Sequence, residues 1–204
     1  MDRSLARIAL IAIPFLGLMF YALTRIMPPL TGYALGNILY WLGLLILLLS
    51  RHDPATLRVW LTPRWPGPVI GALLVLPVAI LLVIATLALR EAPLTPLILL
   101  GLALGALCNG TLEELFWRRA ILPEPRRNAV ILAWTLFTGW HLALLTAAGV
   151  SITGGPLTLM AGAAVLGAIW MTSRLRTGTV GAGAISHICV NFLAYTELTV
   201  RNLT

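Results

Sequence analysis

Residues 69–89 read VIGALLVLPVAILLVIATLAL, twenty-one positions without a charge. About 20 largely apolar residues cross the hydrocarbon core of a bilayer, and a helix satisfies its own backbone hydrogen bonds there. The stretch therefore predicts a membrane span. Comparable apolar runs, bounded by Arg, Pro or Gly, lie at 8–24, 30–50, 95–122, 129–149, 156–173 and 178–200. The expected fold class is all-α: a polytopic membrane helix bundle of about seven transmembrane helices. It forms a single integral membrane domain over 1–204, with its core motif region at 95–200.

Composition points the same way. With 59% apolar and 10% charged residues, the chain cannot present a polar surface on all sides, so its first partner is the lipid bilayer. The net charge of +7 comes from fourteen arginines and no lysine, a usage that fits a GC-rich bacterial genome. These arginines are dispersed between apolar runs, and no nucleic-acid partner is expected. Cys108 and Cys189 lie inside apolar runs, where a thiol packs as a small hydrophobe. The opening segment begins like a signal peptide, but its apolar core is long and no A-x-A site follows, so an uncleaved first helix is expected.

Only the connection 51–68 is long enough for an interfacial helix, and its Trp60 and Trp65 suit the headgroup layer. With the N-terminus inside, eleven arginines fall on the cytoplasmic side and three (Arg25, Arg90 and Arg201) outside. The excess of positive charge in cytoplasmic loops leads us to expect a bacterial inner-membrane protein with a cytoplasmic N-terminus and an outer C-terminus.

The segment NGTLEELFWRRAIL, 109–122, breaks the apolar pattern. Of seven acidic residues only Glu113 and Glu114 interrupt an expected span, and His141 and His187 each lie well inside another. Ionisable groups at membrane depth are costly and face a bundle interior or a wet cavity, which makes them functional candidates. Arg118 follows Glu114 by four residues, a spacing that pairs them on one helical face. Glu113 lies about 100° round the helix without such a partner. The doublet reads as one structural acid and one working acid. If the fourth helix runs to Leu122, Glu113 is about 14 Å in. His187, counted from Gly178, is also about 14 Å in, and His141 and Asn191 are each about 20 Å in. The fourth, fifth and seventh spans are thus expected to share one active layer.

Glu113, Glu114 and Arg118 in EELFWR, Phe137 to His141 in FTGWH, and His187 to Asn191 in HICVN carry a family resemblance. They resemble the EExxxR, FxxxH and HxxxN/D motifs of the CAAX protease and bacteriocin-processing family of intramembrane proteases. The motifs stand in the family's order across 109–191. One position departs from the pattern: many relatives have glycine after the motif arginine, where this chain has Arg119. The resemblance implies an endopeptidase that cuts a membrane-associated peptide or protein near its end, at a leader or a C-terminal anchor. It also implies roles. Glu113 would be the general base on a water held jointly with His141, while His187 and Asn191 would donate to the tetrahedral oxyanion. The Glu114–Arg118 ion pair would hold Glu113 inward.

Zinc is the alternative chemistry, since two histidines and a glutamate form a known catalytic ligand set. With Glu113 as ligand a second base would be needed, and the spare acid is committed to Arg118, so no metal or other cofactor is expected. Ser186 and Cys189 flank His187 but have no base at i+3 or i+4, which disfavours a nucleophilic mechanism. The alternative function is a catalytically inactive membrane immunity or scaffold protein of the same fold. A small transporter is weaker for want of an internal repeat. GLALG (101–105) and GTVGAGA (178–184) are expected at close helix contacts.

Overall fold

The computed structural model describes residues 1–203; Thr204, to which the expected outer C-terminus extends, lies outside them. In chain order the helices are α1 (Arg3–Ile26), α2 (Pro29–Leu49), the short α3 (Pro54–Trp60), α4 (Pro68–Glu91), α5 (Pro96–Glu113), α6 (Arg127–Leu144), α7 (Gly155–Thr177) and α8 (Gly181–Leu203). Among the described residues there is no strand, and the all-α bundle is as the sequence predicts. Proline opens α2, α3, α4 and α5, where a missing N–H costs nothing. Asp2, Asp53 and Thr95 cap α1, α3 and α5 through their side-chain oxygens. The short α3 is the extra helix expected in the 51–68 connection.

The outer surface is apolar: Phe15, Leu18, Val75, Leu82, Leu97 and Leu100 are all exposed. Lipid is the solvent that makes this stable. Five helices are long and apolar enough to cross a membrane: α1, α2, α4, α7, and α5 together with its continuation to Ala120. The protein is multi-pass. Seven helices are long, and of these α6 and α8, 18 and 23 residues, are the two that are less apolar. They carry the polar load, His141 on α6 and His187, Asn191, Glu197 and Arg201 on α8. α6 packs on α1 and α7, and α8 packs most widely on α4 and α5.

Two boundaries also differ from expectation. The fifth span ends at Leu144, not near 149, and residues 145–154 turn back through positive-φ glycines at 149 and 154. There Thr146 Oγ1 donates to Gly17 O at 2.6 Å and Ala148 N donates to Thr24 Oγ1 at 2.9 Å, so the connection is wedged against α1. The last helix starts at Gly181, not Gly178, because Gly178 closes α7 in the left-handed conformation, φ 74°. His187 is therefore about 9 Å into α8, shallower than the 14 Å counted from Gly178.

Four connections meet at one face. Asp2 N donates to Ile121 O at 2.8 Å, Val180 N to Trp60 O at 2.9 Å, and Arg174 Nη2 to Leu122 O at 3.1 Å. Arg51 pairs with Asp2 at 3.4 Å. The end of α8, with Arg201 and Asn202, fastens the 145–154 connection at the opposite face. The close-packing glycines are partly those expected. A Cβ on Gly181 would collide with the Leu61 backbone, whereas one on Gly101 would meet nothing within 4 Å.

Candidate active site

The sequence predicts a regular helix through Leu122, but α5 widens at Glu114. Residues Glu114–Ala120 form a π-helical turn, closed by Ile121 N donating to Phe116 O, five residues back, at 3.0 Å. Such turns are rare and concentrate at functional sites. Glu113 and Glu114, at the entry to the turn, keep α-helical dihedrals, φ −66°, ψ −42° and φ −63°, ψ −42°. Both reach the same histidine.

His187 lies between them, with Nδ1 3.0 Å from Glu114 Oε1 and Nε2 3.5 Å from Glu113 Oε2. Two glycines permit this approach of α5 to α8. A Cβ on Gly110 would come 2.7 Å from the backbone N of Ile188, and one on Gly183 would come 3.0 Å from Glu114 Oε2. Glu114 also makes the expected ion pair, Arg118 Nη1 to Oε1 at 3.0 Å. All three charged side chains are 0–1% exposed. Arg118 lies over the Phe137 ring at 4.1 Å and the Trp170 ring at 5.3 Å, contacts that offset part of its desolvation. Trp170 stacks on His187 with centroids 3.8 Å apart. The imidazole is held on its face and at one nitrogen.

Hydrogen-bond chemistry assigns the ring protons. An ionised carboxylate only accepts, so His187 Nδ1 carries the proton toward Glu114 and Nε2 faces Glu113. His141 Nδ1 donates to Phe137 O at 2.9 Å, which leaves its Nε2 an acceptor in the neutral ring. Phe137 meets both rings edge-on, at 4.9 Å from His141 and 6.3 Å from His187. Asn191 follows His187 by one turn of α8, and its Nδ2 is buried without a partner. Direct contacts thus unite Glu113, Glu114, Arg118 and His187. His141 joins through Phe137, and Asn191 by helical register.

Sequence reasoning missed Tyr40. Its hydroxyl donates to Glu113 Oε1 at 3.0 Å and accepts from Trp117 Nε1 at 2.9 Å, and its ring stacks on Trp140 at 4.0 Å. Glu113 is therefore not without a partner. Trp140 Nε1 and Glu113 Oε2 are both buried without a hydrogen-bond partner. The neighbouring Trp41 Nε1 donates to Asn109 Oδ1 at 2.6 Å, which makes Asn109 a helix tie. The one available signal was the Tyr40-Trp41 pair in mid-span, since such residues ordinarily sit in belts at the membrane interfaces. Ser186 is occupied elsewhere: its Oγ donates to Leu74 O at 2.8 Å and accepts from Trp170 Nε1. Among the described residues no three His, Cys, Asp or Glu side chains converge in a metal-ligating arrangement.

Residues 95–193 match the family described as type II CAAX prenyl endopeptidase, Rce1-like. The matched segment covers the three motifs and leaves α1 to α4 outside it. No curated protein and no solved structure matches the chain.

Proposed function

Because this chain belongs, through residues 95–193, to the CAAX protease and bacteriocin-processing family, we propose that it hydrolyses a peptide bond near the end of a membrane-associated peptide or protein by a glutamate-activated water. The observation that carries this reading is the state of Glu113. It is fully buried, one oxygen is fixed by Tyr40, and the other makes no hydrogen bond and faces His187 Nε2. An acid anchored at one oxygen and free at the other has the form of a general base.

Glu113 Oε2 takes one proton of the attacking water, and His141 Nε2 accepts a hydrogen bond from the other. The hydroxide oxygen bonds to the scissile carbonyl carbon, and the carbonyl electron pair moves to its oxygen. Asn191 Nδ2 donates to that oxyanion, as does His187 Nε2 when protonated, with Glu114 balancing its charge; each such donor is commonly worth about 10² to 10³ in rate. Collapse then passes the proton from Glu113 to the leaving amine. Tyr40 is a positioning residue. Glu114 orients His187 as well as pairing Arg118.

In this reading the Asp2–Ile121 face is the cytoplasmic face of a bacterial inner membrane and the C-terminus lies outside. The reaction needs no metal, since the second acid is already held by Arg118 and His187. The substrate is a peptide precursor or a C-terminal anchor. The test is cleavage of a membrane-anchored peptide in proteoliposomes. Wild type should cut with chelator present, and Glu113→Gln should lose at least about 10² in rate, the lower range for a general base. Equal cleavage by Glu113→Gln would sink the mechanism, and chelator inhibition reversed by zinc would replace it with a metal-dependent one. A folded wild type inert toward all peptides would favour the scaffold.

A further inference from the structure

The starts of α1 and α6 and the connection leading into α6 frame an open cavity of about 830 Å³. Arg3, Arg126 and Arg127 line it, and Glu124 is its one acid. That acid is taken, since Glu124 pairs with Arg126 at 3.4 Å. The acid-paired arginines among the described residues are Arg51, Arg118, Arg126 and Arg201. Arg3 and Arg127 therefore line the cavity without a counter-charge.

The level of the cavity follows from what each helix does next. On α1, Arg3 and Arg7 give way to the exposed Leu10 and Ile11. At α6, Arg126 and Arg127 give way to the exposed Ile131 and Leu132. Both helices change from arginine to bare aliphatic surface within about one turn. On a multi-pass chain such aliphatic surface faces acyl chains, and the arginines above it stand at the headgroups. The cavity straddles that boundary, because Ala129 and Leu132 line it together with the arginines.

Arginines at helix ends ordinarily anchor a span among headgroups in general. Here three segments of the chain frame one recess, and its volume is far more than a single inorganic ion fills. Its occupant must bring negative charge to Arg3 and Arg127 and an apolar part to Leu132. A phospholipid whose headgroup carries no amine does both. A zwitterionic lipid brings its own cation to the arginines, and free phosphate offers nothing to the apolar wall. Basic pockets beside membrane helices take anionic headgroups in this way.

We propose that this cavity binds one anionic phospholipid, with its phosphate between Arg3 and Arg127 and its acyl chains along Leu132 and the aliphatic surface of α1 and α6. A lipid so placed fastens α1 to the helix that carries His141, whether or not the protein cuts peptides.

The full-length protein in neutral detergent is titrated with dioleoyl phosphatidylglycerol and, separately, with dioleoyl phosphatidylcholine, and binding is read as the shift in thermal midpoint. Wild type should bind the anionic lipid at least about 10-fold more tightly, the order expected of two arginines at an anionic headgroup. The preference should shrink as salt is raised. The double variant Arg3→Gln, Arg127→Gln should bind both lipids alike. Both side chains are exposed and outside any ion pair, so its midpoint without lipid should stay near that of wild type. Arg3→Lys with Arg127→Lys keeps both charges and should retain most of the preference. A control pair, Arg25→Gln with Arg90→Gln, removes the same charge at the far ends of α1 and α4 and should retain all of it. Equal binding of the two lipids by wild type, including no shift with either, overturns the site. So does an undiminished preference in Arg3→Gln, Arg127→Gln, or an equal fall in the control pair, which would reduce the preference to net charge. Displacement of phosphatidylglycerol by soluble glycerol phosphate at the same or lower concentration overturns it too, leaving a free-phosphate site.

Discussion

Two glutamate–arginine pairs in this molecule have the same spacing and opposite circumstances. Glu114–Arg118 and Glu197–Arg201 are both i, i+4 pairs with the acid first, at 3.0 and 2.9 Å. The inner pair is 0% and 1% exposed, sits on a π-helical turn and shares its carboxylate with His187. The outer pair is 11% and 46% exposed on an ordinary turn of α8. It gathers Thr153, whose hydroxyl donates to Glu197 and accepts from Arg201 Nε, and so pins the 145–154 connection to α8. Spacing identifies a pair; surroundings decide what it costs and what it does. Water reaches the outer pair at Arg201, while the inner one carries a full desolvation cost.

That contrast can be tested by removing one charge at a time. The largest effect should follow Glu114→Gln, which leaves Arg118 buried without its counter-charge. Breaking a buried pair costs about 3 to 5 kcal/mol, so the thermal midpoint in detergent should fall steeply and less folded protein should accumulate. A loss no larger than that of the outer pair would erase the distinction. Glu113→Gln should keep most of the wild-type midpoint, because a neutral amide still accepts from Tyr40, while losing the cleavage described above. If it unfolds and Glu114→Gln does not, the working and structural acids are exchanged.

A smaller effect is expected for Tyr40→Phe. It removes one hydrogen bond to a charged group, worth about 1.5 kcal/mol or roughly tenfold, and should lower kcat with little change in KM. A change in KM alone would place Tyr40 in binding. The smallest effect belongs to Glu197→Gln, whose partner Arg201 is half exposed; a pair that water reaches contributes about 0.2 to 1 kcal/mol. Cleavage should persist, and protease sensitivity of the 145–154 connection should rise; intact resistance there would mean the pair fastens nothing.

The apolar runs made seven long helices legible because hydrophobic length is a local property. The motif spacings likewise made the Glu114–Arg118 pair and the membership of Glu113, His141, His187 and Asn191 in one region legible. The π-helical turn was not, since no residue in ELFWRRA is unfit for an α-helix, and the close contacts with α8 beside it, at Gly110 and Gly183, join residues far apart in the chain. Tyr40 was hidden for a similar reason. Its partner is 73 residues away, and nothing in a single span announces which side of it will face another.

The two less apolar long helices, α6 and α8, have a consequence for biogenesis. An insertion machinery leaves a segment in lipid according to its apolar free energy, and each charge at the helix centre costs about 2.5 to 3.5 kcal/mol on that scale. α8, which carries His187, Asn191, Glu197 and Arg201, is less apolar than the five. It is received by α4 and α5, on which it packs most widely and which precede it in the chain. Synthesis thus puts the host before the guest, and His187 and Asn191 arrive last. On the proteolytic reading proposed above, a nascent chain ending at Thr177 should insert its apolar helices yet cut nothing, because the final helix brings His187 and Asn191.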